Sequence, residues 1–258
     1  MAWVRLRKPA AAILVLRVVL WIVAAFAGAI LALCALGLVS AVGRGLSIGF
    51  QRKALFPLPD PLVYLLFSAC GFQATLLLGA MWEGWRVGNG DRGAGLGASP
   101  IRRLGTVAFL CLLMVAWVFA LPTLLGAVPS LRALAKVATP GVLTPDGADG
   151  PAAVVLRLLL LAVLAPVSEE LFFRGWLWEA LRRAGHGAWS VAGWTSLPWL
   201  LLHGLDSPKR VLFLIPAAVV FSVARHVGGG VRASLMVHMS NNLTVVLMQA
   251  VPILFEPV

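Results

Sequence analysis

Long apolar segments alternate along the chain with short segments rich in basic residues, proline and glycine. A helix that spans a bilayer needs about 20 predominantly apolar residues, and most of these segments come close to that length. The pattern therefore predicts an all-α fold, a polytopic membrane bundle of about seven transmembrane helices. The predicted spans are 18–42, 61–82, 104–128, 152–181, 188–204, 211–226 and 231–253.

Composition and charge support this assignment. Hydrophobic residues make up 60% of the 258 residues and charged residues only 12%, whereas a soluble domain has about 25% charged residues. The net charge is +11, but the basic residues cluster between apolar segments. That distribution indicates contact with a lipid bilayer and anionic headgroups, and no nucleic acid as a partner. It also favours a cytoplasmic N-terminus, because more basic residues then lie inside.

The chemistry-bearing residues are unevenly distributed, which suggests two regions. Residues 1–150 form an N-terminal membrane region with three predicted spans and no recognisable motif. Residues 151–258 form a predicted catalytic core with four spans. Between them, residues 131–137 have the composition of a short interfacial helix. The three cysteines lie apart in apolar segments and form no CxxC pair.

Two adjacent carboxylates and an arginine interrupt the fourth apolar segment. A charge at the bilayer centre costs about 2.5–3.5 kcal/mol on insertion scales, so a use for Glu169, Glu170 and Arg174 is expected. Glu170 and Arg174 are four residues apart and can pair on one helix face. Glu169 is rotated by about 100° from Glu170, lacks an obvious partner and remains available for chemistry. Pro166 is expected to distort the helix beside it. Arg157 is expected to extend to the outer membrane surface.

Two later spans carry histidines at helical spacing. Trp199 and His203 share a face of the fifth span, and His238 and Asn242 share a face of the seventh. The expected depths of these residues and of Glu169 permit one shared site inside the bundle.

This ordered set resembles the CPBP intramembrane protease family, which includes prenyl-protein (CAAX) endopeptidases and bacterial Abi-type relatives. The resemblance rests on Glu169-Glu170-xxx-Arg174, then Trp199-xxx-His203, then His238-xxx-Asn242. It covers residues 160–250. The family usually has Phe where this chain has Trp199, so an aromatic ring is retained.

Peptide hydrolysis requires an activated water and stabilisation of the developing oxyanion. Glu169 suits the general base and His203 can hold the water, while His238 and Asn242 can donate hydrogen bonds to the scissile carbonyl. The resemblance implies the same roles, with Glu170, Arg174 and Trp199 as structural or supporting residues. No cofactor is then required. A zinc ion bound by Glu169, His203 and His238 is the chemical alternative, although no HExxH motif is present.

The sequence thus predicts an intramembrane endopeptidase acting on a membrane-anchored or lipidated protein or peptide. A non-catalytic scaffold or immunity protein of the same fold is the alternative. A proton-coupled transporter is disfavoured because the chain has no repeated halves. The Ala-, Gly- and Arg-rich composition indicates a GC-rich bacterial genome and hence the bacterial inner membrane. The sequence specifies neither the cleavage site nor the oligomeric state.

Overall fold

The fold is described from a computed structural model covering residues 11–49, 61–87, 100–132, 151–205 and 208–255. Across these residues the secondary structure is helical, without strands. We number the long helices α1–α7, with α4 comprising the consecutive helical segments from 151 to 183. Their bounds are Ala11–Gly49, Pro61–Val87, Leu104–Ala127, 151–183, Ala188–Gly204, Pro208–Gly228 and Val231–Phe255.

Each of the seven predicted spans corresponds to one of these helices, which confirms the all-α membrane bundle. By length and composition alone, α1, α3 and α6 are long and apolar enough to cross a membrane. The helix α5 has only 17 residues, and α4 consists of several shorter segments. A short 3₁₀ turn, Pro129–Leu131, follows α3. Most of the predicted interfacial helix at 131–137 lies outside the described residues.

The acidic motif lies in α4, which occupies the centre of the bundle. This helix contacts α2 on one side and α5 and α7 on the other, while α6 packs against α3, α5 and α7. Large apolar side chains on the outer helices remain exposed, as bilayer-facing residues should; Leu31 of α1 is 68% exposed. The charges of the acidic motif, Glu169, Glu170 and Arg174, are buried among these helices.

Two segments of α4 have π-helical geometry, Leu159–Leu164 and Glu170–Leu177. At their ends, the N–H of Ala165 donates to the carbonyl of Leu160, and that of Trp178 to the carbonyl of Phe173. Each bond spans five residues, so the helix is locally wider than an α-helix. Pro166 follows the first π segment and contributes no backbone N–H. The distortion expected near Glu169 is thus a pair of π segments flanking it.

The helices α1 and α2 join through an ion pair. The Arg17 guanidinium pairs with the Glu83 carboxylate, and the indole N–H of Trp21 donates to Glu83 Oε1 at 3.0 Å. The guanidinium carbon of Arg17 also lies 6.0 Å from the ring centre of Trp176 in α4. Arg17 precedes the predicted first span, but α1 begins at Ala11 and thereby includes it.

The crossing of α1 and α2 is close because glycine faces glycine. A Cβ atom added to Gly71 would lie against the backbone oxygen of Gly28 and 2.8 Å from the Cβ of Ala32. Small residues at such a crossing let the helix backbones approach, which is a common way for membrane helices to pack.

We expect Gly71→Ala to lower the stability of the protein by about 1–3 kcal/mol, because the added methyl group overpacks this crossing. Gly37→Ala is the matched control in α1, since an added Cβ there meets no described atom within 4 Å. Thermal unfolding of both purified variants in detergent checks the expectation. Equal stability of the two variants would contradict the close α1–α2 crossing.

Candidate active site

Glu169 is held by hydrogen-bond donors from two other helices. The indole N–H of Trp199 in α5 donates to Oε2 at 2.7 Å, and the side-chain amide of Gln73 in α2 donates to Oε1 at 3.1 Å. Glu169 is only 6% exposed. Each oxygen of the Glu169 carboxylate therefore accepts a hydrogen bond from a neutral N–H group.

Glu170 points to a separate cluster of buried groups. Arg174 and the Nδ1 atom of His238 both approach Glu170 Oε1, at 3.1 and 2.9 Å. The Arg174 guanidinium also faces the rings of Trp199 and Phe221, at 5.1 and 5.7 Å from their centres. Glu170 and Arg174 are fully buried. The pairing predicted from their spacing therefore extends into an aromatic and imidazole environment that the spacing does not reveal.

The two imidazoles each direct one nitrogen towards Glu169. His203 Nδ1 lies 2.9 Å from the backbone carbonyl of Trp199, and His238 Nδ1 is bonded to Glu170. Because a carbonyl and a carboxylate only accept, the proton of each neutral ring is on Nδ1. The Nε2 atoms then lie 4.0 and 3.9 Å from Glu169 Oε2 for His203 and His238. Both Nε2 atoms thus approach the same carboxylate oxygen.

Asn242 lies on the same side of the bundle. Its amide nitrogen donates to the carbonyl of Leu161 at 2.8 Å, and its oxygen accepts from Asn241 at 3.0 Å. Leu161 belongs to the first π segment of α4. The hydrogen bond therefore joins α7 to the distorted part of α4 and fixes the orientation of the Asn242 side chain.

The second π segment is bonded to α6 by Arg225. Its Nε donates to the carbonyl of Arg174 at 2.8 Å, and its Nη2 donates to Glu179 Oε1 at 2.7 Å. Arg225 is 5% exposed. It satisfies a carbonyl within the irregular segment and so supports the helix that carries Glu170 and Arg174.

A cavity of about 410 Å³ adjoins these residues. Its polar wall includes His203, His238 and Asn242, and its remaining walls are largely apolar side chains of α3, α6 and α7. Glu169 lies next to this wall, because both cavity-lining imidazoles approach its Oε2 atom. The arrangement can place a bound carbonyl group near a carboxylate, two imidazoles and an amide.

The distances among these donors can be compared with those of a tetrahedral zinc site. Tetrahedral ligands of zinc lie about 3.4 Å from one another, closer than the 3.9 and 4.0 Å measured between Oε2 and the two Nε2 atoms. Oε2 already accepts the hydrogen bond of Trp199. Among the residues that the structure describes, no three His, Cys, Asp or Glu side chains have an arrangement suited to a metal ion.

A comparison with known families identifies this part of the chain. Residues 151–244 match the family model of the type II CAAX prenyl endopeptidase Rce1-like proteins. Residues 151–244 are therefore similar to these proteins, and we refer to them as the Rce1-like segment. The expected resemblance to the CPBP and CAAX proteases is thereby confirmed, and the match indicates a membrane protease of the CAAX type. No curated protein and no solved structure matches the chain.

The Rce1-like segment contains all seven residues singled out from the sequence, and the structure gathers them around one centre. They are Glu169, Glu170, Arg174, Trp199, His203, His238 and Asn242. Their catalytic or supporting roles remain predictions.

The structure adds partners to one polar residue and contradicts the expectation for another. Glu169, for which the sequence indicated no obvious partner, accepts hydrogen bonds from two donors on other helices. Arg157 was expected to extend to the membrane surface, but it is 6% exposed because α2 and α7 pack on the first segment of α4.

Sequence reasoning missed Gln73 and Arg225. Gln73 lies outside the Rce1-like segment and is the only Asn or Gln of α2, in a largely apolar stretch where an uncompensated amide is costly. A single amide in an apolar stretch was the sequence feature that could have pointed to Gln73. Arg225 lies near the end of α6 and resembles an ordinary basic residue at a membrane boundary, so the sequence contained no comparable signal.

We expect Arg174→Gln to destabilise the Rce1-like segment by about 3–5 kcal/mol, because it leaves Glu170 as a buried charge without its cationic partner. The double variant Glu170→Gln/Arg174→Gln is expected to recover part of this loss. Unfolding of both variants in detergent, measured against the parent protein, tests the expectation. A double variant no more stable than Arg174→Gln alone would show that the buried charge is not the cause.

Proposed function

We propose that the protein is an intramembrane endopeptidase that uses a glutamate-activated water. Its substrate is a membrane-anchored or lipidated protein, cut near its C-terminus or in a membrane-proximal segment. The observation that carries the proposal is the convergence of Glu169 Oε2 with the Nε2 atoms of His203 and His238 beside the 410 Å³ cavity.

The geometry at this point suits a water molecule. Separations of 3.9 and 4.0 Å are too long for direct hydrogen bonds, but a water about 2.8 Å from each atom would bridge them. The water has two protons, which it donates to Glu169 Oε2 and to Nε2 of the neutral His203 ring. The lone pairs of its oxygen then face the cavity.

Glu169 acts as the general base in the proposed reaction. The water oxygen forms a bond to the scissile carbonyl carbon while its proton moves to the Glu169 carboxylate. The resulting tetrahedral intermediate carries a negative oxygen. Glu169 then returns the proton to the peptide nitrogen, the carbon–nitrogen bond breaks, and the products are a carboxylic acid and an amine. No covalent enzyme intermediate is required.

The oxyanion is stabilised from α7. One N–H of Asn242 is bonded to Leu161, which leaves the second N–H of the amide for the oxyanion. His238 can donate from Nε2 only when its ring is doubly protonated, because its Nδ1–H is bonded to Glu170. Donors held in this way lower the barrier because they are oriented before charge develops.

The family match and the composition of the chain support the proposed substrate and membrane. The family is named for a prenyl endopeptidase, which supports a lipidated substrate held at the membrane. The Ala-, Gly- and Arg-rich composition supports a bacterial inner membrane, and the distribution of basic residues supports an N-terminus in the cytoplasm. A processing or maturation role for a membrane-anchored protein fits this setting.

We expect Glu169→Gln to lower kcat by about 100-fold or more, because the amide keeps the shape of the side chain and removes the base. The matched control is Glu179→Gln in the same helix, where the amide oxygen can still accept from Arg225. Both variants are compared with the parent protein in nanodiscs, using an internally quenched farnesylated peptide with a CAAX-type C-terminus. Membrane proteins that accumulate uncut in cells expressing Glu169→Gln are identified by mass spectrometry.

The result of this assay distinguishes a protease from a non-catalytic scaffold or immunity protein. A folded Glu169→Gln protein that processes the peptide and the cellular substrates at the parent rate would rule out Glu169 as the base. If the parent protein also cleaves nothing, the non-catalytic scaffold or immunity protein replaces the protease.

We also expect cleavage to persist after metal removal, because the proposed base and oxyanion donors are protein side chains. The parent protein is dialysed against 1,10-phenanthroline and EDTA, assayed with the same peptide, and its metal content is measured. A thermolysin-type zinc protease treated in parallel is the positive control for chelation. Loss of activity that added zinc restores would instead establish the zinc mechanism.

A further inference from the structure

Gln73 is a polar residue in an otherwise apolar part of α2. Its neighbours Phe72 and Ala74 are apolar, and α2 packs directly against the α4 segments that carry the acidic motif. A primary amide in such surroundings is expensive unless both its N–H groups and its oxygen find partners. The structure provides two partners, and both are adjacent residues of α4.

The hydrogen bonds of Gln73 define a chain from Ser168 to Glu169. Glu169 only accepts, so the nitrogen of the amide faces it, at 3.1 Å from Oε1. The amide oxygen therefore faces Ser168, whose hydroxyl donates to it. The same hydroxyl also lies 3.0 Å from the carbonyl of Ala165. Ser168 is fully buried, which limits the alternatives for its proton.

This series of hydrogen bonds complements the hydrogen bond that Trp199 donates to Glu169. Gln73 holds Oε1 of Glu169 from α2, and Trp199 holds Oε2 at 2.7 Å from α5. A carboxylate bonded at both oxygens by donors on opposite sides cannot rotate freely about its terminal bond. The oxygen nearest the two imidazoles is therefore kept at the point where the proposed water binds.

We infer that Gln73 is a positioning residue for the general base, oriented by Ser168 and supplied by a helix outside the Rce1-like segment. This inference rests on the proposed function. The amide exchanges no proton and does not touch substrate, so its contribution is to hold Glu169 in the reactive orientation. Such a contribution appears in kcat rather than in substrate binding.

The test compares Gln73→Met, Ser168→Ala and the double variant, with Thr75→Val as the matched control in α2. The Thr75 hydroxyl bonds to the carbonyl of Gly71 in its own helix, and Thr75 packs towards Gly28 of α1. Methionine has nearly the length of glutamine and removes both hydrogen bonds. Each variant is assayed in nanodiscs with the farnesylated peptide, and its folding is checked by size-exclusion chromatography and thermal unfolding.

We expect Gln73→Met to lower kcat about 10-fold or more with KM changed less than about twofold. Ser168→Ala should cause a smaller loss, because the amide remains but its orientation is no longer fixed. The double variant should be no slower than Gln73→Met alone, since both changes interrupt one chain. Thr75→Val should retain the parent kcat. A folded Gln73→Met protein with parent kcat, or losses that multiply in the double variant, would overturn the inference.

An infrared measurement separates this inference from the proposed function. The carboxylate stretching band of Glu169 is assigned by its loss in Glu169→Gln, without any substrate. The band should move in Gln73→Met and in Ser168→Ala and stay in place in Thr75→Val. If the parent protein cleaves no peptide but the band moves, the proposed function fails and the positioning of Glu169 stands. An unmoved band in Ser168→Ala and in any folded Gln73→Met protein overturns the positioning, whether or not peptide is cleaved.

Discussion

The buried charges of α4 are the constraint on which the rest of the structure depends. Glu170 and Arg174 are fully buried, and such a pair is tolerated in an apolar interior only when further polar or aromatic contacts surround it. His238 contributes a hydrogen bond from α7, and Trp199 and Phe221 present ring faces from α5 and α6. Three helices must therefore close around α4. The same closure brings the residues of the candidate site together.

The two adjacent carboxylates have different surroundings, and this difference gives them different capacities. Glu170 shares one oxygen between a cation and an imidazole, which ties it to structure. Glu169 is bonded by neutral N–H donors and faces the Nε2 atoms of His203 and His238. A rotation of about 100° between consecutive helical residues is enough to separate these surroundings. Glu169 lies between the two π segments, and Glu170 begins the second one.

The site extends beyond the Rce1-like segment. Gln73 of α2 reaches Glu169, and α1 is joined to α2 by the Arg17–Glu83 ion pair and the Gly28–Gly71 crossing. Side chains of α3 form part of the cavity wall. The first three helices therefore contribute to the surroundings of the site, although the sequence assigned them to a separate membrane region without motifs.

The sequence by itself determined the helical class, the seven spans and the residues of the acidic and histidine motifs. Those features follow from local rules: apolar length for a span, and the four-residue repeat that places Glu170 with Arg174 or His238 with Asn242 on one face. Only the tertiary structure decided which donors meet Glu169, where Arg157 and Arg225 are buried, and which imidazole nitrogen faces the cavity. These features depend on contacts between residues far apart in the chain. Gln73 and Glu169 are hydrogen-bonded although they are 96 positions apart in the sequence, and helical periodicity gives no information over that separation.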